Sequence, residues 1–178
     1  MAKELTLALV GNPNCGKTSL FNVLTGSRQH VGNWPGVTVE RKEGFVKYED
    51  KDLRIIDLPG TYSFSASSED EIIAVQYILR DKPDVVINVI DSGNIERNLY
   101  LTVQLLEMNT KVVLALNMID EAEKKQIFID QRKLAELLGV PVVATVATKN
   151  TGIREMLAKA VSLNIAPSLL LNWITDSR

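Results

Sequence analysis

Apolar and polar residues follow one another in two rhythms along this chain. Short, mostly apolar runs occur at 5–10, 53–56, 84–91, 111–116 and 142–146. Runs of this length with no polar face predict strands buried on both sides, as in a parallel sheet. Between them apolar residues recur at helical spacing. Leu20, Phe21, Val23 and Leu24 form one set, and Ile72, Val75 and Leu79 another. Ile95, Leu99, Val103 and Leu106 follow, then Leu134, Leu137 and Leu138, then Ile153, Met156, Leu157, Ala160 and Val161. These predict helices over 18–24, 68–80, 94–108, 130–138 and 152–161, with the named residues facing inward. The segment 39–49 alternates apolar with charged positions, which predicts a half-exposed strand, antiparallel at a sheet edge. The alternation of strands with helices makes the fold class α/β.

Two stretches break the rhythm. Residues 25–38 are rich in Gly, Asn and Pro and predict a long loop, and 61–71 is polar and serine-rich and predicts a second one. Long loops in compact domains tend to be functional or mobile. Within the first, Trp34 beside Pro35 and Gly36 is a candidate cap on the core. His30, the single histidine, has no second histidine to share a metal with.

The candidate chemistry lies where apolar runs end. Gly11-Asn12-Pro13-Asn14-Cys15-Gly16-Lys17-Thr18 fits G-x-x-x-x-G-K-[ST] between a predicted strand and helix. The two glycines permit a tight turn and close approach, and the freed N–H groups and helix N-terminus favour phosphate. Lys17 supplies a mobile charge for terminal phosphates, and the Thr18 hydroxyl is a hard ligand suited to Mg²⁺. Asp57-Leu58-Pro59-Gly60 ends another strand, where Asp57 is placed to hold Mg²⁺ through water, although Asp-x-Pro-Gly is also ordinary turn chemistry. Thr38 is a candidate second hydroxyl ligand for Mg²⁺ or a solvent-facing loop threonine. Asn117-Met118-Ile119-Asp120 reads as N-x-x-D at a strand end. A carboxylate there accepts two N–H bonds from a guanine edge, and adenine has no such donors. The competing reading makes Asp120 a helix N-cap; two phosphate motifs upstream in the right order favour guanine. Asn117 would then tie the base loop to the phosphate loop. At Ala147-Thr148-Lys149 a backbone N–H is placed for guanine O6 and the Lys149 stem for covering the base, and a plain strand-to-helix loop fits equally well.

Bulk properties narrow the class. The chain has 178 residues, 46% hydrophobic and 24% charged, enough for one domain with a sizeable core. Twenty basic against 22 acidic residues give a net charge of −2, which argues against nucleic-acid binding driven by charge. One cysteine permits no internal disulfide and points to a reducing compartment. No stretch has the pattern of a signal peptide or of a membrane-spanning helix.

The ordered motifs resemble the GTP-binding domains of the translation-factor and Ras-like class. Gly11-Asn12-Pro13-Asn14, then 32–44 from Gly32-Asn33-Trp34-Pro35-Gly36-Val37-Thr38 onward, then Asp57-Leu58-Pro59-Gly60-Thr61-Tyr62-Ser63 resemble more closely the amino-terminal G domain of the ferrous iron transport protein B family. Glu96-Arg97-Asn98-Leu99-Tyr100-Leu101-Thr102 and Asn117-Met118-Ile119-Asp120 fit the same family, and the likeness covers about 4–160. It implies a Ras-like P-loop GTPase fold, a six-stranded mostly parallel sheet with helices on both faces. It implies GTP/GDP as ligand, contacted by Gly11 to Ser19 (including Asn12, Pro13, Cys15 and Ser19), by Asp57 and Gly60, by Asn117, Met118 and Asp120, and by Ala147, Thr148 and Lys149. Lys17, Asn14, Thr38 and Gly60 would act in hydrolysis, with Mg²⁺ on Thr18, Thr38 and, through water, Asp57. It extends to G proteins that use K⁺, held by Asn14 and loop carbonyls near Gly32 and Trp34. Loops 26–38 and 59–70 would switch with nucleotide state. A G domain over 1–165 would sit at the cytoplasmic face of a prokaryotic inner membrane, partnered by a membrane-embedded transporter portion and by no nucleic acid. The apolar tail 166–178 would begin a helical regulatory domain.

Three features depart from the pattern, one being Ala147-Thr148-Lys149, a loose version of the last base-binding element. Cys15 stands where serine is commoner in this family. Thr61 follows Gly60 where Ras-like proteins carry a water-orienting glutamine. Catalysis would rest on charge, with slow turnover on the order of 10⁻⁴ to 10⁻² s⁻¹. Three alternatives stay open: a soluble GTPase of tRNA modification or ribosome assembly, a GTP/GDP-binding switch with negligible hydrolysis, and, disfavoured by Asn117-x-x-Asp120, an ATP-using P-loop kinase.

Overall fold

The computed structural model describes residues 4–165; the tail expected at 166–178 lies outside them. Seven strands form one sheet in the order β2-β3-β4-β1-β5-β6-β7. These are β1 (Leu5–Gly11), β2 (Gln29–Asn33), β3 (Glu40–Tyr48), β4 (Lys51–Asp57), β5 (Val85–Asp91), β6 (Val112–Asn117) and β7 (Val142–Ala144). β2 and β3 run antiparallel to their neighbours; β4, β1, β5, β6 and β7 are mutually parallel. β1 is almost wholly apolar because both of its faces are covered. Leu5, Leu7 and Leu9 point into one core and Ala8 and Val10 into the other.

Helices α1 (Lys17–Thr25) and α6 (Ile153–Ile165) cover the first face through Leu20, Phe21, Met156, Leu157 and Ala160. Helices α2 (Glu69–Gln76), α3 (Ile95–Glu107) and α5 (Gln131–Leu138) cover the second. A short α4 (Ile119–Lys124) follows β6. The chain leaves β1 first toward β4 and later toward β5, so the sheet reverses its winding order at β1. Ligands of open α/β sheets bind beyond the strand ends at such a point.

Four expectations need correction. The sheet has seven strands, not six, because 29–33, read as loop, pairs with β3 from His30 opposite Glu43 to Asn33 opposite Glu40. β2 is therefore the edge strand and β3 lies inside it. In the helix expected at 68–80, Ile72 and Leu79 are exposed, and Ala74, Tyr77 and Ile78 are buried. The buried face is the one carrying Ala74, Tyr77 and Ile78, itself at helical spacing, and the helix ends in a π-helical turn at Tyr77–Asp81. In α3 Val103 is exposed and Asn98, Leu101, Thr102 and Leu105 face the core. In α5 Leu137 is exposed, leaving Leu134 and Leu138 on the core.

Candidate functional site

The loop 12–16 turns from the end of β1 into α1. Gly16 has φ 83°, in the left-handed region, and a Cβ there would strike Asn117 Nδ2. A Cβ on Gly11 would lie 2.5 Å from the Val89 carbonyl oxygen. Both positions are thus restricted to glycine, Gly16 by backbone geometry and both by crowding. Asn14 also has positive φ, 67°, and it is exposed together with Pro13, Thr18 and Ser19. The Cys15 side chain is buried in the first core, and burial pushes its thiol up to about 11. It stays protonated, which opposes a reactive role.

Lys17 is buried at the start of α1 with its ammonium on Asp57 Oδ1 at the end of β4. Their side chains are 10% and 8% exposed. The exposed Thr18 hydroxyl follows Lys17, so a hydroxyl and a carboxylate, both hard oxygen donors, stand at the same strand edge and fit Mg²⁺. Thr61 does not face this site. Its N–H donates to the Gly11 carbonyl at 3.1 Å, and its hydroxyl donates to the Ser63 carbonyl at 2.6 Å. It pins the loop after Gly60 to the phosphate loop, and Gly60 packs on Pro13.

Asn117 joins three segments. Its Nδ2 donates to the Cys15 carbonyl at 3.0 Å, and its Oδ1 accepts from the Ala147 N–H at 3.1 Å and the Thr145 hydroxyl at 3.3 Å. Its own carbonyl accepts from the buried Ser92 hydroxyl at 2.7 Å. Met118 takes the left-handed conformation and caps α4, so Asp120 lies inside the first helical turn and is not its N-cap. The Asp120 carboxylate instead meets Lys149 Nζ at 2.5 Å, and that hydrogen bond holds its carboxyl below the usual carboxylate range. Ala147, Thr148 and Lys149 form a single 3₁₀ turn beside it. The phosphate loop, Asp57, Asn117, Asp120 and 147–149 are therefore gathered at one edge of the sheet.

The segment 26–38 is not gathered there. Gly32 lies in β2, three strands from β1, so it stands about 14 Å from the phosphate-loop strand in the sheet direction. Thr38 is exposed in the turn that joins β2 to β3, closed by Trp34 N–H to the Val39 carbonyl at 2.9 Å. The Trp34 ring is buried edge-on to Tyr77 at 5.5 Å, with the Arg41 guanidinium 5.0 Å from its centre. His30 is exposed, and among the described residues no group of three metal-ligating side chains forms. A cavity of about 270 Å³ lined by His30, Arg41, Glu43 and Arg54 flanks β2 and β3, away from the phosphate loop.

Ser92 and Thr145 escaped the sequence reading, though both help to fix Asn117. The signal for Ser92 was present: it follows Asp91 at the carboxyl end of a buried strand, the edge where the other motifs lie. Thr145 carried none, being one hydroxyl within an apolar run.

A doubly wound sheet with its cradle at the end of β1, and a base-side loop tied to that cradle, is the architecture of the Ras-like GTPase fold. The family model for ferrous iron transport protein B matches residues 5–160. The Fe(2+) transporter FeoB of Salmonella typhimurium is 55% identical over 158 residues, which cover 86% of this chain and 20% of that protein. The crystal structure of the G domain of the T. maritima FeoB iron transporter superposes with a TM-score of 0.86 at 50% identity, covering 90% of this chain and 99% of that one. The cytosolic domain of the same transporter in a GDP form gives 0.90 at 48% identity, covering 94% and 66%. The chain belongs to the ferrous iron transport protein B family, as its amino-terminal G domain. It spans about a fifth of the length of the curated relatives it matches. Among the described residues no helix is long and apolar enough to cross a membrane.

Proposed function

We propose that this chain binds GTP and GDP, hydrolyses GTP slowly and reports its nucleotide state to the membrane portion of a ferrous iron transporter from the cytoplasmic face of a prokaryotic inner membrane. The observation that carries this reading is Asn117. One buried side chain holds the phosphate loop at Cys15 and the base loop at Ala147, so a nucleotide spanning Lys17 and Asp120 meets one preformed frame. Structures of relatives with GDP support the ligand.

In this reading the N–H groups of 13–18 and the Lys17 ammonium bind the phosphates, and Asp120 accepts two N–H bonds from guanine. Thr18 and Thr38, with Asp57 through water, would hold Mg²⁺, which would supply charge neutralisation at the transferring phosphate. Asn14 is exposed in the phosphate loop, which supports reading its side-chain oxygen as a K⁺ ligand. For Thr38 and the carbonyls of Gly32 and Trp34 to reach the nucleotide, residues 29–33 would have to leave their pairing with β3. Strand exchange at β2 is thus the switching movement, and β2 is suited to it: short, at the edge and largely exposed.

Titration of a fluorescent GDP analogue with GTP and with ATP as competitors tests binding. GTP displaces the analogue and ATP at comparable concentration does not; efficient displacement by ATP refutes the guanine assignment. Hydrolysis is compared in potassium and sodium at equal ionic strength, for the parent and Asn14→Ala. Stimulation by potassium that vanishes in the variant supports the K⁺ role, and equal rates in both salts for the parent end it. A second reading, a switch with negligible hydrolysis, is favoured by the turning of the Thr61 hydroxyl toward Ser63. A single-turnover assay with radiolabelled GTP separates the two.

A further inference from the structure

Lys149 Nζ lies 2.5 Å from Asp120 Oδ2, so a cation of the chain itself occupies the carboxylate proposed to read the guanine edge. We infer that Lys149 is an internal competitor for the base: it neutralises Asp120 when the site is empty, guanine displaces it on entry, and it recaptures Asp120 as guanine leaves. This competition rests on the proposed role of Asp120 in guanine binding.

Three observations carry it. The first is the tether. Lys149 ends the 3₁₀ turn whose first residue, Ala147, donates its N–H to Asn117 Oδ1, and Asn117 lies three positions before Asp120. The ammonium is thereby confined near one carboxylate, and confinement raises its effective concentration there. The second is the form of the side chain. The Lys149 side chain is 61% exposed and its flexible stem can carry the ammonium into water when a better donor arrives. The third is the stoichiometry of donors. Guanine offers N1–H and N2–H together and engages both carboxylate oxygens, so it and Lys149 draw on the same Oδ2 charge and compete for it. The pair is solvated, so competition is mild; an exposed ion pair lowers the apparent affinity of the displacing ligand by about threefold.

The predicted effect separates competition from the ordinary covering role of the stem. Lys149→Met keeps the stem and removes the charge. GDP affinity, read with a fluorescent GDP analogue, should tighten about threefold, chiefly through slower dissociation, and Lys149→Gln should act in the same direction. In an Asp120→Asn background, read with xanthosine diphosphate, Lys149→Met should change nothing, because no carboxylate remains to compete for. Unchanged or weaker GDP affinity in Lys149→Met, or equal tightening in both backgrounds, overturns the inference. Two controls keep the underlying site assignment distinct. If the parent fails to bind GDP, or Asp120→Asn fails to exchange guanine for xanthine, the assignment falls and takes the inference with it. If both controls hold and Lys149→Met does not tighten GDP, the inference alone falls.

Discussion

The two ends of the site carry the same ion pair in different surroundings. At the phosphate end Lys17 and Asp57 meet with side chains 10% and 8% exposed; at the base end Lys149 and Asp120 meet at 61% and 24%. Desolvation separates their consequences. A buried pair is costly to break on one side, because the remaining charge is left without water or partner. An exposed pair is repaid by solvent on either side. The phosphate end is thus a rigid electrostatic fixture that a ligand must match, and the base end is an exchangeable contact that a ligand can replace.

Lys17→Ala gives the largest effect. It strands Asp57 and should cost about 3 kcal/mol of stability in a denaturant titration, with GTP affinity lost by more than about a hundredfold. Adding Asp57→Asn should restore most of the stability and none of the binding, which divides the fixture's two roles. A Lys17→Ala variant that binds fluorescent GTP like the parent would show the loop assignment to be wrong. Next comes Asp120→Asn, which turns an acceptor into a potential donor. Preference should move from guanine toward xanthine nucleotides by about a thousandfold while melting behaviour changes little, since this pair is solvated.

Thr38→Ala touches neither pair and should slow hydrolysis about tenfold, leaving GDP affinity nearly intact. Equal hydrolysis rates would remove Thr38 from the site. Trp34 supplies the optical signal: its emission should differ between GDP and a non-hydrolysable GTP analogue, because its ring is packed on Tyr77 and Arg41 while 29–33 is a strand.

The smallest effect belongs to a third cluster of intermediate exposure. Burial pushes the Glu43 carboxyl up, and Arg54, hydrogen-bonded to it at 2.7 Å, with Arg41 and His30 outweighs this and holds it below its ordinary value. A depressed carboxyl contributes stability above the unfolded value, about 4.3, and loses it as pH falls through the folded one. Glu43→Gln should therefore be about 0.5–1 kcal/mol less stable than the parent at neutral pH and converge with it as pH falls through the lowered folded value of Glu43. A gap that persists at low pH would assign the loss to packing.

The central strands were legible because β4, β1, β5 and β6 are covered on both faces and so carry nearly unbroken apolar runs. The site motifs were legible because each sits where such a run stops. β2 was not. His30, Gly32 and Asn33 have little strand propensity, and only pairing with β3 holds them extended. The α3 face was misjudged because two of its buried residues are polar. Asn98 Oδ1 accepts from the Asp91 N–H at 3.3 Å, and the Thr102 hydroxyl donates to Asn88 Oδ1 at 2.6 Å. Hydrophobic spacing weights neither residue, although a satisfied hydrogen bond lets both be buried. The buried face of α2 and the turn after it was misjudged for a different reason: Ala74, Tyr77 and Ile78 form a second helical series as good as Ile72, Val75 and Leu79, and spacing alone does not choose between them.

Asn117 also sets a timetable for synthesis. The segments it joins are far apart in the chain: 102 positions separate it from Cys15 and 30 from Ala147. Contacts of such long range form late, because the intervening chain must be ordered first. On a ribosome Cys15 emerges early and Ala147 only after Asn117 and the 30 positions that follow it. A nascent chain stalled with about 130 residues exposed would present the phosphate loop, Asp57 and Asp120, yet its base loop would have no turn to close on. Nucleotide capture should begin only when residues near 150 clear the exit tunnel. Stalled chains of increasing length, probed with a crosslinkable guanine nucleotide, would show labelling appear in one step at that length; gradual labelling from about residue 60 onward would mean that the phosphate loop captures nucleotide unaided.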